Sequence, residues 1–71
     1  MKPLSTKHKR FGERVKRLRR EKGLSQEGLA DAIGVDRSYM GFIERGERNP
    51  TLDKMNKISK ALNVSMKDLF E

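Results

Sequence analysis

Between Ser25 and Arg45 the chain places two short stretches of helical character, 26–33 and 37–45, with only Gly34-Val35-Asp36 between them. No other feature constrains the fold as tightly. Three residues are too few to let two helices lie side by side, so the pair must cross steeply as a helix-turn-helix. A steep crossing needs a small side chain at the contact, and Ala30 supplies it. The turn needs a residue that tolerates positive φ, and Gly34 does. Leu29, Ile33, Val35, Met40 and Ile43 fill the inward positions, while Ser25 and Asp36 are N-cap residues for the two helices.

The remaining segments also read as helices. Phe11, Val15 and Leu18 fall at i, i+4 and i+7, one apolar stripe on a helix of about residues 8–22 that ends at Gly23. Pro50 forbids a helical Asn49, so Glu47–Pro50 is a loop. Thr51 caps a fourth helix in which Leu52, Met55, Ile58 and Leu62 recur at threes and fours, and Asn63 ends it. Ser65, with Asp68 three residues on as a capping box, predicts a fifth short helix that brings Leu69 and Phe70 to bury. The expected fold class is therefore all-α, a compact five-helix bundle. Its domain spans 8–71, with the helix-turn-helix at about 26–45, behind a flexible basic arm of residues 1–7.

A chain of 71 residues supports one domain at most, and without cysteine it has neither disulfide staples nor a thiolate metal site. No apolar run approaches the roughly 20 residues that span a membrane, and the basic N-terminus lacks the apolar stretch of a secretory signal. A cytoplasmic protein is expected. The formal net charge is +7, and it is concentrated: residues 1–22 hold ten Lys and Arg against Glu13 and Glu21, whereas residues 23–71 are nearly neutral. Such a footprint points to a polyanion, above all nucleic acid. An enzyme has little to work with. His8 is the single histidine, and Glu44, Glu47, Asp53 and Asp68 have no spacing that suggests paired carboxylates or a metal site. No catalytic residue, metal or cofactor is expected.

The run "LSQEGLADAIGVDRSYMGFIERGERNPTLDKMNKISKALNVS" resembles the phage repressor and Cro (Xre-like) family of helix-turn-helix regulators, over nearly the whole chain from Phe11 to Phe70. The piece "GVDRSY…IERGERNPTL" also resembles the small controller proteins of restriction-modification systems, which belong to that family. The resemblance implies a sequence-specific transcriptional regulator that binds a pseudo-palindromic operator as a homodimer, with RNA polymerase left open as a further partner. An antitoxin or adaptor that uses this fold to hold a protein is the competing expectation. Val64, Met66, Leu69 and Phe70 exceed what so small a core should hide, so the last two helices are the expected dimer interface.

In that family the third helix lies in the major groove with its N-terminal part against base edges. With Met40 and Ile43 inward, a helical wheel turns Ser38, Gly41, Phe42 and Arg45 outward, with Arg37 beside them in the first turn. The Arg37 fork suits guanine O6 and N7, and Ser38 suits a base edge or a phosphate. Tyr39 and Phe42 stand where they can touch a thymine methyl or the sugar-phosphate wall; packing on the fourth and first helices is the alternative. By resemblance Gln26, aided by Ser25, is a phosphate clamp at the start of the second helix. Arg48 and Asn49 match family positions near the DNA backbone and minor groove. Arg19 and Glu44 match a pair that joins the first and third helices, which gives Arg19 a structural role. Gly28 and Gly41 depart from ordinary helix composition, each at a cost of about 1 kcal/mol relative to Ala.

Overall fold

Gly34 turns the chain as the sequence requires. Its φ of 75° is left-handed, and its N–H closes on Ala30 and Asp31 at the end of α2 (Gln26–Ile33). The Val35 N–H bonds to the Ala30 carbonyl at 3.0 Å, and Asp36 then caps α3 (Arg37–Glu44) by accepting from the Tyr39 N–H at 2.8 Å. The computed structural model describes residues 2–70. Met1 and Glu71, the outer ends of the expected arm and domain, lie outside the described residues.

Two further helices complete the bundle. The first, α1 (Thr6–Glu21), is capped by Ser5, whose hydroxyl accepts from the His8 N–H, and carries Arg19 and Arg20 in its last turn, where the helix dipole favours cations. It begins two residues before the apolar stripe suggests, because polar residues fill its first turn. The fourth, α4 (Leu52–Ala61), is capped by the Thr51 hydroxyl, and Asn63 leaves it in the left-handed region at φ 55°. Among the described residues the domain therefore has four α-helices, where five helices were expected. The Ser65–Asp68 box does form, with reciprocal bonds of 3.1 and 3.2 Å, but Lys67–Phe70 closes as a single 3-10 turn. Four residues fix too few hydrogen bonds to propagate an α-helix.

Packing places α3 against both α1 and α2, α2 against α4, and the terminal turn against α1. The core comprises Phe11, Val15, Leu18, Leu29, Ala30, Ile33, Met40, Ile43, Ile58, Leu62 and Leu69. Two expectations need correction. Leu52 satisfies the helical spacing yet is 72% exposed, because it opens α4 beyond the edge of the core. Leu69, expected to bury with the last helix and also to serve the dimer interface, is wholly buried in this core, with Val64 and Met66 packed partly against it. Phe70 stays 60% exposed, its ring 5.3 Å from that of Phe11.

The approach of α1 to α3 is unusually close. A Cβ on Gly12 would lie 2.4 Å from the Ile43 carbonyl oxygen and 2.5 Å from that of Glu44. Gly46, at φ 75°, likewise lets the chain after α3 pass the backbone of Lys9 with no room for a side chain. Only hydrogen at these two positions allows α1 to brace α3.

Candidate nucleic-acid interface

What braces α3 electrostatically is a buried cluster at its C-terminal end. The Glu44 carboxylate accepts from Arg19 Nε at 2.7 Å and Nη2 at 3.1 Å, a bidentate fork, and from Gln26 Nε2 at 3.0 Å. Arg19 Nη1 donates to the Leu24 carbonyl at 2.8 Å. Residues of α1, of the loop before α2, of α2 and of α3 thus converge on one carboxylate. Both charged side chains are at most 9% exposed, and among the described residues no buried side-chain polar atom is left unsatisfied. A buried ion pair holds only when its remaining donors and acceptors are matched in this way. The structural role expected for Arg19 is the one it has.

Along α3 and at its C-cap, Arg37, Ser38 and Arg45 are exposed and Tyr39 and Phe42 half-buried. Tyr39 packs partly against the core, so its ring is shared between interior and surface. Phe42 lies under two guanidinium groups, with Arg45 Cζ 5.1 Å and Arg48 Cζ 5.4 Å from its ring centre. Cations over an aromatic face are attracted by its quadrupole, so Phe42 gathers both arginines at the C-terminal end of α3. Gly41, expected on the outer face, is buried beneath Arg45.

At the neighbouring end of α2, Ser25 uses its hydroxyl oxygen as the cap acceptor for the Gly28 N–H at 2.9 Å, which leaves its O–H to donate elsewhere. The Gln26 amide has two N–H donors, one of them given to Glu44. The first backbone N–H groups of α2 have no partner within the helix, and with the helix dipole they favour an anion.

Gln26, Phe42, Arg45 and Arg48 are brought together, and Arg37 and Ser38 stand on the same helix one to two turns earlier. Asn49 is placed differently: it lines a cleft of about 480 Å³ with Lys7, His8, Arg10, Phe11, Met55, Leu69 and Phe70. The sequence reading missed Glu47. Its side chain is 7% exposed and accepts from Arg45 Nε at 3.0 Å. An acid two residues after an arginine in an apparent loop carries no periodic signal of burial.

The model of the helix-turn-helix family HTH_3 matches residues 15–69. The chain belongs to the helix-turn-helix family. This is a family of DNA-binding transcriptional regulators. The chain is 47% identical over 62 residues to the control protein C.MunI of a Mycoplasma species, covering 86% of this chain and 84% of that protein. Its fold is similar to the crystal structure of the restriction-modification controller protein C.AhdI from Aeromonas hydrophila, with a TM-score of 0.90 and 45% identity over 93% of this chain and all of that one. It also resembles the biofilm master regulator SinR in a crystal structure with DNA, at TM-score 0.80 and 40% identity, covering 86% of this chain and 98% of that one. The matched region contains the helix-turn-helix, the buried Arg19–Glu44 pair and every residue expected at the interface. It leaves out the first half of α1, including Gly12. Among the described residues no helix is long and apolar enough to cross a membrane.

Proposed function

We propose that this helix-turn-helix regulator binds a pseudo-palindromic DNA operator as a homodimer in the cytoplasm, as the controller of a restriction-modification operon. The observation that carries the DNA reading is that α3 is firmly anchored at one end and still exposes polar side chains. Its last residue is fixed by the fully bonded Arg19–Glu44–Gln26 cluster, while Arg37 and Ser38 in its first turn and Arg45 at its C-cap are exposed to solvent. A rigid helix with a polar, arginine-bearing surface meets the needs of major-groove readout, where a few side chains must reach base edges in fixed register.

Each residue then has a role. Arg37, at the first turn, reads a guanine through its fork, and Ser38 reads an adjacent edge. Tyr39 and Phe42 present apolar edges to thymine methyls and sugars. Ser25 and Gln26 hold a phosphate at the N-terminus of α2, Arg45 meets the operator at the C-terminal end of α3, and Arg48 and Asn49 engage the strand flanking the helix. The arm and α1 add phosphate neutralisation, which contributes affinity without sequence preference.

The dimer follows from scale. One reading helix covers only a few base pairs, and operator-grade affinity needs two half-sites about one turn apart. Exposed Leu52 and Phe70, on α4 and the terminal turn, supply apolar surface for a partner copy. The likeness to C.MunI and C.AhdI supports the controller role. Sedimentation at micromolar concentration, alone and with a selected duplex, tests the assembly. A dimer in both and two chains per duplex are expected, whereas a strict monomer that binds one half-site tightly would sink it. The competing adaptor reading predicts weak, salt-insensitive binding with equal affinity for operator and random DNA.

A further inference from the structure

Two features that look unfavourable in isolation meet at one side chain. Gly41 sits inside an eight-residue helix, where Ala would be the better helix former. Glu47 puts a carboxylate beside the face proposed to meet phosphates, where negative charge opposes binding. Both touch Arg45. Its Nε donates to Glu47 Oε1 at 3.0 Å, and its Nη1 lies where a Cβ on Gly41 would come within 3.0 Å. The Phe42 ring supports the guanidinium from a third direction.

The Glu47 carboxylate is itself held firmly. Its backbone N–H bonds to the Phe42 carbonyl at 2.8 Å, and its side chain is buried while that of Arg45 is 55% exposed. The anchor is therefore rigid and the anchored group faces outward. With Nε engaged, the Nη1 and Nη2 groups remain as the free end of the fork. Paired donors of that kind match a two-acceptor base edge, guanine O6 and N7 in the major groove. Gln26 reaches the same place from α2, its Oε1 3.6 Å from the same Gly41 Cβ position.

We infer that Glu47 and Gly41 are positioning residues for base readout: Glu47 anchors the Arg45 guanidinium, Gly41 leaves the space it occupies, and together they aim its outer donors at a guanine. This rests on the proposal that Arg45 meets the operator. Overall affinity is given up to Glu47 and gained back as base preference.

The test is competitive binding of the duplex recovered by selection, its single-base-pair variants and random DNA, with R45A, E47A, E47Q, G41A and R45A/E47A. R45A is expected to lose about tenfold preference at one base pair per half-site. E47A and G41A lose preference at that same pair. E47A binds random DNA more tightly, since a negative charge is gone. E47Q, whose amide oxygen still accepts from Nε, keeps the preference and shares the tighter random binding. G41A keeps a thermal midpoint at or above that of the parent chain, because its Cβ displaces only the tips of two flexible side chains and Ala favours helix. In the R45A background E47A causes no further loss of preference.

An E47A protein with intact preference, alongside a flattened R45A, overturns the positioning role alone. So does an E47A loss that persists in the R45A background. An R45A protein with unchanged preference removes the base-reading role beneath it.

Discussion

Replacing Glu44 by alanine isolates the buried cluster that braces α3. Its side chain is 2% exposed and that of Arg19 is 9%, so the variant leaves a guanidinium inside the protein with only the Leu24 carbonyl as a partner. Breaking a buried pair in this way costs about 3–5 kcal/mol. A domain of this length has roughly 4–11 kcal/mol to lose, at about 0.05–0.15 kcal/mol per residue. Each kcal/mol moves the midpoint of so small a domain by about 4–8 °C, so E44A should melt about 12–40 °C lower. Thermal unfolding followed by far-UV circular dichroism, with urea titration as a check, measures it. The double variant R19M/E44L separates charge from packing. With both partners apolar nothing charged is stranded, and most of the stability should return. An E44A effect below about 1 kcal/mol, in the range of an ordinary surface pair, would refute the bracing role.

Arg37 is exposed, so R37A should leave the midpoint within about 0.5 kcal/mol of the parent while weakening operator binding by about 1–3 kcal/mol and flattening preference at one base pair per half-site. Equal weakening on operator and random DNA would show that Arg37 meets phosphate instead. G12A should destabilise by about 1–3 kcal/mol or more, because its Cβ meets backbone oxygens of α3 at 2.4–2.5 Å and backbone cannot step aside; calorimetry reads it. Exchanging exposed Lys2, Lys7, Lys9 and Arg10 for glutamine should lower the salt slope of binding by up to about 0.9 for each phosphate no longer neutralised, with base preference unchanged. Substitution is the cleaner perturbation, since deleting residues 2–9 would also remove the Ser5 cap and the Lys9 backbone beside Gly46.

The helix-turn-helix was legible because its requirements are local. Ser25 and Asp36 as caps, Gly34 as the turn and Ala30 at the crossing are each dictated by backbone geometry within a few residues. Where helices end against the core was less legible. Leu52 has the spacing of an inward residue, but spacing does not say where the neighbouring helix stops. The Ser65–Asp68 box predicted a helix and formed, yet only a 3-10 turn fits before Phe70. Leu69 was assigned to an interface because composition does not say how many apolar side chains the core can take in. Gly12 and Glu47 were invisible for a related reason. One is a close approach between elements distant in sequence, and the other is a buried acid in a loop, so neither leaves a periodic mark.

Selection of bound duplexes from a random DNA pool, carried out in parallel with the parent chain and R37A, tests the central claim most directly. The account predicts a two-fold related motif from the parent chain, with half-sites about 10 base pairs apart centre to centre, and the same motif with one degenerate position per half-site from R37A. A pool that stays unenriched, or an R37A motif identical to the parent's, would contradict the claim that α3 reads the sequence.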